Sequence, residues 1–320
     1  MKPPIIITSH NGAFALPPAM ELLLSGGSAV DAVVHGCTLV EANPEDHTVG
    51  YSGLPNLLGE VELDASVMDG RGLRAGSVGA LKGYQQAAQV ARQVMDTLPH
   101  VLLGGDGPMR LAEEMGFAPT NLLTPEAEEI WRSRLGDLTD RDASYLTRIR
   151  ELVSVATEDA EIAEQTGTGE PPHGTVNFIA MDSRGDIATG VSTSGWAWKY
   201  PGRMGDSPVI GAGNYADNRW GAAACTGRGE MAQRCLTAHS VVMFMRFGMS
   251  LNEALDHAMR DLDALDDPFA SEMNILAMDK DGNPGAASSN PTKEYAVITS
   301  DMSAAELRPR MHVDLEILRR

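Results

Sequence analysis

A chain of 320 residues with 43% hydrophobic and 22% charged residues can bury one large core or two ordinary ones, and it is too apolar to remain disordered. Its formal net charge of -19 repels phosphate backbones and anionic membrane surfaces, so neither nucleic acid nor a membrane is an expected partner, whereas a small substrate carrying its own positive group is compatible. Cys37, Cys225 and Cys235 form an odd set without CxxC spacing, which argues against a disulfide framework or a zinc site and for a reducing, cytoplasmic setting.

The chain opens without an apolar signal region, and no signal peptide or bilayer-spanning run is expected. Pro4–Thr8 is a short β-branched run that predicts a buried strand. Pro17–Ala42 carries apolar residues at helical spacing, interrupted by Ser25-Gly26-Gly27-Ser28. This predicts one helix ending at the glycines and a second capped by Ser28. Glu60–Met68 alternates and predicts a strand, Gln85–Met95 predicts a helix, and Pro108–Ala156 reads as mostly helical with polar breaks. The segment from Glu158 to Gly174 differs in kind. It holds five acidic residues and no Lys or Arg, ends in Gly and Pro, and reads as a surface linker that cannot order itself.

Directly after it, Thr175–Met181 is apolar enough for a strand buried on both faces. The turn Asp182–Asp186 and the run Ile187–Ser194 make its hairpin partner. Helices are expected at Gly229–Arg246 and Leu251–Leu265. Strands near Asn274–Met278 and Tyr295–Thr299, with a turn at Asp281–Asn283, close the chain. Strands and helices are grouped and do not alternate strictly, which favours packed sheets with helices outside over a doubly wound parallel fold.

A linker that delivers the chain into a buried strand at Gly174–Thr175 suggests chemistry. A Thr hydroxyl is a poor nucleophile without an adjacent base. Cutting the peptide bond before Thr175 would create that base, an α-amino group of unperturbed pKa about 7.7–8.0. Gly174 suits the cut because glycine tolerates the strained backbone of an N-to-O acyl shift. Taken alone, the junction reads as a loop meeting a strand, with Thr175 a β-branched residue that starts it.

The residues around it add to this. They comprise His173–Asp182 (HGTVNFIAMD), Gly190–Gly195 (GVSTSG), Gly202–Pro208 (GRMGDSP), Gly211–Asp217 (GAGNYAD) and Thr226–Glu230 (TGRGE), preceded by Gly26–Ala32 (GGSAVDA), Val49–Pro55 (VGYSGLP) and Leu63–Gly70 (LDASVMDG). In this order and over nearly the whole chain, they closely resemble the glycosylasparaginase branch of the N-terminal nucleophile hydrolases, which also holds plant-type asparaginases and isoaspartyl aminopeptidases. The resemblance implies an α+β fold of four αββα layers. It also implies one domain, residues 1–320, self-cleaved into an α piece (1–174) and a β piece (175–320) that pair as a homodimer.

By the same resemblance Thr175 is the nucleophile and Thr193 tunes its amine. Arg203 grips a substrate α-carboxylate through paired guanidinium donors. Asp206 receives the substrate α-ammonium, and Thr226 and Gly227 supply an oxyanion hole. Neither a cofactor nor a metal is expected, and the eight histidines show no HxxxH or HExxH spacing. The implied substrate is a small asparagine-type molecule, with N4-(β-N-acetylglucosaminyl)-L-asparagine favoured by the spelling of Gly202–Pro208 and Gly211–Asp217. Isoaspartyl dipeptides and L-asparagine are the enzymatic alternatives; a relative that stays uncut and only binds aspartyl ligands is the non-enzymatic one. Two positions depart from the family pattern. Ser9-His10 stands where the first strand usually ends in an aromatic residue, and Asn177 stands two residues after Thr175 where glycine is usual.

Overall fold

The computed structural model describes residues 2–135 and 174–319, so most of the acidic linker and the end of the helical run to Ala156 lie outside the described residues. In chain order the strands are β1 (Ile5–Ser9), β2 (Leu63–Asp69), β3 (Arg74–Leu81), β4 (Leu102–Leu103), β5 (Val176–Met181), β6 (Ile187–Thr193), β7 (Asn214–Asp217), β8 (Gly221–Gly227), β9 (Met273–Asp279), β10 (Pro284–Ser288), β11 (Glu294–Thr299), β12 (Glu306–Pro309) and β13 (Met311–His312). The helices are α1 (Leu16–Leu24), α2 (Ala29–Glu41), α3 (Ala87–Thr97), α4 (Gly107–Glu114), α5 (Pro125–Leu135), α6 (Gly229–Cys235), α7 (Thr237–Arg246) and α8 (Leu251–Arg260).

Two sheets result, one ordered β12-β11-β1-β5-β6-β2-β3-β4 and the other β13-β10-β9-β8-β7. The mixture of helices and largely antiparallel sheets is the expected α+β class. Strand β5 shows why its sequence is apolar at every position. Phe178 and Ala180 pack with Val33 and Cys37 of α2, while Ile179 and Met181 pack with Ala222, Ala224, Leu276 and Met278 of the second sheet. Removing a fully buried ring such as Phe178 costs roughly 3–5 kcal/mol. On its other face the second sheet buries Ala223, Cys225, Ile275 and Ala277 against Val241, Val242, Leu255 and Met259 of α7 and α8.

Ser28 caps α2 as expected, its hydroxyl accepting from Asp31 N–H at 3.1 Å while the Asp31 carboxylate accepts from Ser28 N–H at 3.1 Å. The single helix expected over Gly229–Arg246 is instead two. The chain turns at Leu236, whose φ of 48° lies in the left-handed region. Two N–H groups of the first turn of α7, from Ala238 and His239, donate to Ala212 and Gly211 carbonyls, which fixes the second helix on its own axis. The helical run after Pro108 is likewise interrupted, with no helix between Glu114 and Pro125. Among the described residues no helix is long and apolar enough to cross a membrane.

Candidate active site

The register of β5 and β6 pairs Val176 with Ser192 and Asn177 with Val191. One step further, Thr175 stands opposite Thr193. The alternation that turns Ile179 and Val191 toward the second sheet gives Thr175 and Thr193 that same face. The Thr193 hydroxyl donates to the carbonyl of Gly174 at 2.5 Å and accepts from Gly195 N–H at 2.9 Å. It is therefore aimed at the carbonyl that an attack by Thr175 would convert into a tetrahedral centre.

Gly174 is required by the close approach of Thr48. A Cβ added at position 174 would lie 2.2 Å from Thr48 Oγ1 and 2.5 Å from its Cβ. Thr48 cannot yield, because its N–H and hydroxyl both donate to Asp46 Oδ1, at 2.9 and 2.5 Å, and its carbonyl accepts from Ser194 N–H at 2.9 Å. From β1 a second chain of bonds reaches the same place. Asn11 Nδ2 donates to Asp46 Oδ2 at 2.9 Å, Ser9 donates to Asn11 Oδ1 at 2.7 Å, and Ser9 accepts from Asn177 N–H at 3.3 Å.

Thr175 opens onto a cavity of about 490 Å³. Its lining includes Ser9, His10, Asn11, Thr48, Gly174 and Thr175, together with Thr226, Gly227, Glu272, Asn274, Lys293 and Arg310. Thr226 and Gly227 end β8, paired with Asn274 and Met273 of β9. Gly227 has φ 115° and an added Cβ would lie 2.1 Å from the Glu272 carbonyl, so this turn admits only glycine.

Beyond Gly227 the chain enters a charged cluster. Arg203 Nε and Nη2 donate in parallel to the two carboxylate oxygens of Glu230, at 2.9 and 2.8 Å. Arg228 lies over the Trp196 ring, 4.3 Å from its centroid, and places Nη1 3.4 Å from Glu230 Oε2. Burial alone would raise the Glu230 pKa, but Arg203 and Arg228 outweigh it and hold the carboxyl below its usual range. Asp206, 5% exposed, is pushed up to about 7 by burial, with Arg203 partly opposing the rise. The loop bearing both groups is bracketed from β2 and the residue before it. Glu62 accepts from Gly202 N–H through both oxygens at 3.1 Å, and Asp64 Oδ2 accepts from Gly205 N–H at 3.2 Å.

Of the seven residues expected at the site, Gly174, Thr175, Thr226 and Gly227 line the cavity, as does His10. Thr193 sits behind the Gly174 carbonyl. Arg203 and Asp206 do not line the cavity of the uncut chain; they occupy the adjoining cluster, joined to it through Gly227–Glu230. Asn177 is buried, and its side-chain amide has no hydrogen-bond partner among the described residues. Sequence reasoning missed Glu230 as the partner of Arg203, although it closes the TGRGE motif. It also missed Glu62 and Asp64, whose signal is a pair of acids two positions apart entering an apolar strand.

Residues 13–306 match the asparaginase family termed Asparaginase_2. The chain is 35% identical over 290 residues to an N(4)-(β-N-acetylglucosaminyl)-L-asparaginase of Elizabethkingia miricola, covering 89% of this chain and 78% of that protein. It is 36% identical over 260 residues to the enzyme of the same name from Mus musculus, covering 77% and 73%. Similarity to a probable isoaspartyl peptidase/L-asparaginase 3 of Arabidopsis thaliana is 31% over 325 residues, covering 96% and 90%.

Proposed function

The chain belongs to the asparaginase family, and from that membership we propose that it cuts its own Gly174–Thr175 bond and then uses Thr175 to hydrolyse the side-chain amide of a β-aspartyl substrate. The observation that carries this reading is the Thr193 hydroxyl 2.5 Å from the Gly174 carbonyl, with Thr175 beside it in the strand register. In the uncut chain Thr175 Oγ attacks the Gly174 carbonyl carbon, the peptide C–N bond breaks, and water hydrolyses the resulting ester. The freed α-amine then takes the Oγ proton as Oγ attacks the substrate amide. The leaving amine departs protonated, and water releases L-aspartate from the acyl-enzyme.

Thr226 and Gly227 stabilise the oxyanion in this scheme, a contribution worth about 2.7–4 kcal/mol per donor. Glu230 uses two of the five N–H donors of Arg203, which fixes the plane of the guanidinium and leaves the remaining donors for an α-carboxylate. Ionised Asp206 takes the α-ammonium. This assignment goes with a four-layer αββα arrangement in a single domain, supported by the three separate cores on and between the two sheets. It also goes with pieces 1–174 and 175–320 that remain together and dimerise. Three cysteines without a disulfide support the cytoplasmic setting.

A denaturing gel with N-terminal sequencing tests the core of this proposal. Two fragments, the second starting at Thr175, are expected; a single band after long incubation at neutral pH favours the uncut aspartyl-binding relative. Comparing N4-(β-N-acetylglucosaminyl)-L-asparagine, an isoaspartyl dipeptide and L-asparagine then ranks the leaving groups.

A further inference from the structure

Between the two ends of the site lies a buried amine that the scheme above does not use. Lys199 is 6% exposed, and its N–H donates to the Trp196 carbonyl at 3.3 Å, closing a turn directly after Gly195. The backbone of that turn is pinned to the segment ahead of β2. Trp198 N–H donates to the Pro55 carbonyl at 3.0 Å, and the Lys199 carbonyl accepts from Leu57 N–H at 3.1 Å. The side chain runs inward from there, and its Nζ donates to the Glu62 carbonyl at 3.0 Å. It also lies against Gly195, where an added Cβ would come within 2.8 Å of Nζ and 3.0 Å of Cδ.

Each of those two contacts leads to a different part of the site. Gly195 N–H donates to the Thr193 hydroxyl, which donates in turn to the Gly174 carbonyl. Glu62 holds Gly202 N–H on its carboxylate, with Lys82 Nζ 3.4 Å from Oε1 on the outer side. Asp64, two positions on, holds Gly205 N–H on Oδ2 and Ala80 N–H on Oδ1, the latter at 2.9 Å. Arg203 lies inside that bracket and Asp206 directly after it. Burial lowers the Lys199 pKa; Asp64 and Glu62 oppose the fall, while Arg203 and Lys82 add to it. A methionine would reach about as far with no charge to desolvate, so filling the space does not by itself call for an amine.

We propose that Lys199 is a positioning residue for substrate recognition: its ammonium, seated on Gly195, anchors Glu62 and so holds the Gly202–Asp206 loop at a fixed distance from Thr193. The inference rests on the amidohydrolase reading above and deepens it. Arg203 and Asp206 can grip the two charges of an α-amino acid productively only at a set distance from the nucleophile. Lys199 acts through Glu62. Thr193 keeps its place through its own pairing with Asp64 on β2. Loss of the ammonium therefore displaces recognition and spares the chemical step.

The test measures, on the purified enzyme, the Kd for L-aspartate by calorimetry, with KM and kcat for L-asparagine beside it. Lys199→Met is expected to weaken L-aspartate binding about tenfold, the low end for a hydrogen bond to a charged group, and to raise KM alike with kcat within about threefold. Lys199→Arg, which keeps the charge, should recover most of the binding. Glu62→Gln keeps an acceptor for the loop without its charge, and adding Lys199→Met to it should cost less than about threefold more, because the two act as one unit. An unchanged Kd in Lys199→Met overturns the proposal, as does a kcat that falls while KM holds, or Met and Arg variants that bind equally poorly. If Lys199→Met does not fold, the double variant with Glu62→Gln, which withdraws both charges together, is compared with Glu62→Gln alone; a further tenfold loss there sinks the proposal. An unmutated enzyme that binds L-aspartate but turns over neither L-asparagine, an isoaspartyl dipeptide nor the glycosylated asparagine sinks the amidohydrolase reading, and the calorimetry still decides the role of Lys199. One that does not bind L-aspartate sinks both.

Discussion

The two ends of the candidate site are built from different materials. Around Gly174–Thr175 the contacts are hydroxyls and backbone groups: Thr193 on the Gly174 carbonyl, Thr48 against the Gly174 Cα, and Ser9 on the Asn177 N–H. Around Arg203 they are charges: Glu230 in a bidentate fork, Arg228 on Trp196, and Asp206 buried beside them. Neutral groups in strand register fix position with little penalty for burial, whereas paired charges hold affinity but must be kept matched. In the proposed scheme, chemistry that depends on tenths of an ångström falls at the first end and recognition of a zwitterion at the second. Changes at the hydroxyl end should therefore appear in kcat or self-cleavage, and those at the charged end in KM.

The largest expected effect would break the comparison if it failed. Thr175→Ala should leave one full-length band and reduce turnover by at least about 10⁴-fold, the scale seen when a nucleophile is removed. Thr226→Ala should self-cleave and then lose about 10²–10³ in kcat, measured on the purified processed enzyme. In Gly174→Ala the added methyl meets Thr48, and an overpacking penalty of about 1–3 kcal/mol predicts self-cleavage slowed roughly 10- to 100-fold on a time-course gel, while enzyme already cut turns over normally. The smallest effect sharpens the other end. Asp206 has a folded pKa of about 7 against its usual 3.8. The folded protein thus binds the extra proton between those values, so this group's contribution to stability is fullest below about pH 4 and falls as pH rises toward 7. Substrate ammonium needs the ionised form, so KM should rise about tenfold from pH 8 to pH 6, and Asp206→Asn should flatten that dependence.

Much of this site was legible because its residues sit in short local motifs. Thr175, Thr193, Arg203, Asp206 and Thr226-Gly227 each fall in a segment that carries the family resemblance, and the roles proposed for them come from that resemblance. The apolar runs of β1, β5 and β6 and the Ser28 cap were readable for the same reason: each signal lies within a few residues of its consequence. Strands β3, β8 and β10 were not. They read RAGSVGAL, GAAACTG and PGAAS, and small residues have little intrinsic strand preference; they are strands because neighbours on either side pair with them. The break at Leu236 was hidden likewise, since its cause is a pair of carbonyls at Gly211 and Ala212. Glu62, Asp64 and Lys199 belong to the same class, each acting on a partner far away in the chain.

One feature of the first sheet bears on how the molecule comes into being. Strand β1 is flanked by β11 on one side and β5 on the other, and β6 lies against β2. A break at Gly174–Thr175 therefore assigns β1 to one polypeptide and both of its neighbours to the other, so neither can leave without unzipping ladders on two fronts. Before the break, assembly of this sheet is a first-order event within a single chain. Afterwards it would require two molecules to meet and interleave, at a rate set by their concentration. An enzyme made this way has a one-way biography: unfolded protein carrying Thr175→Ala should recover at any dilution, while the severed form should recover only when concentrated, or not at all.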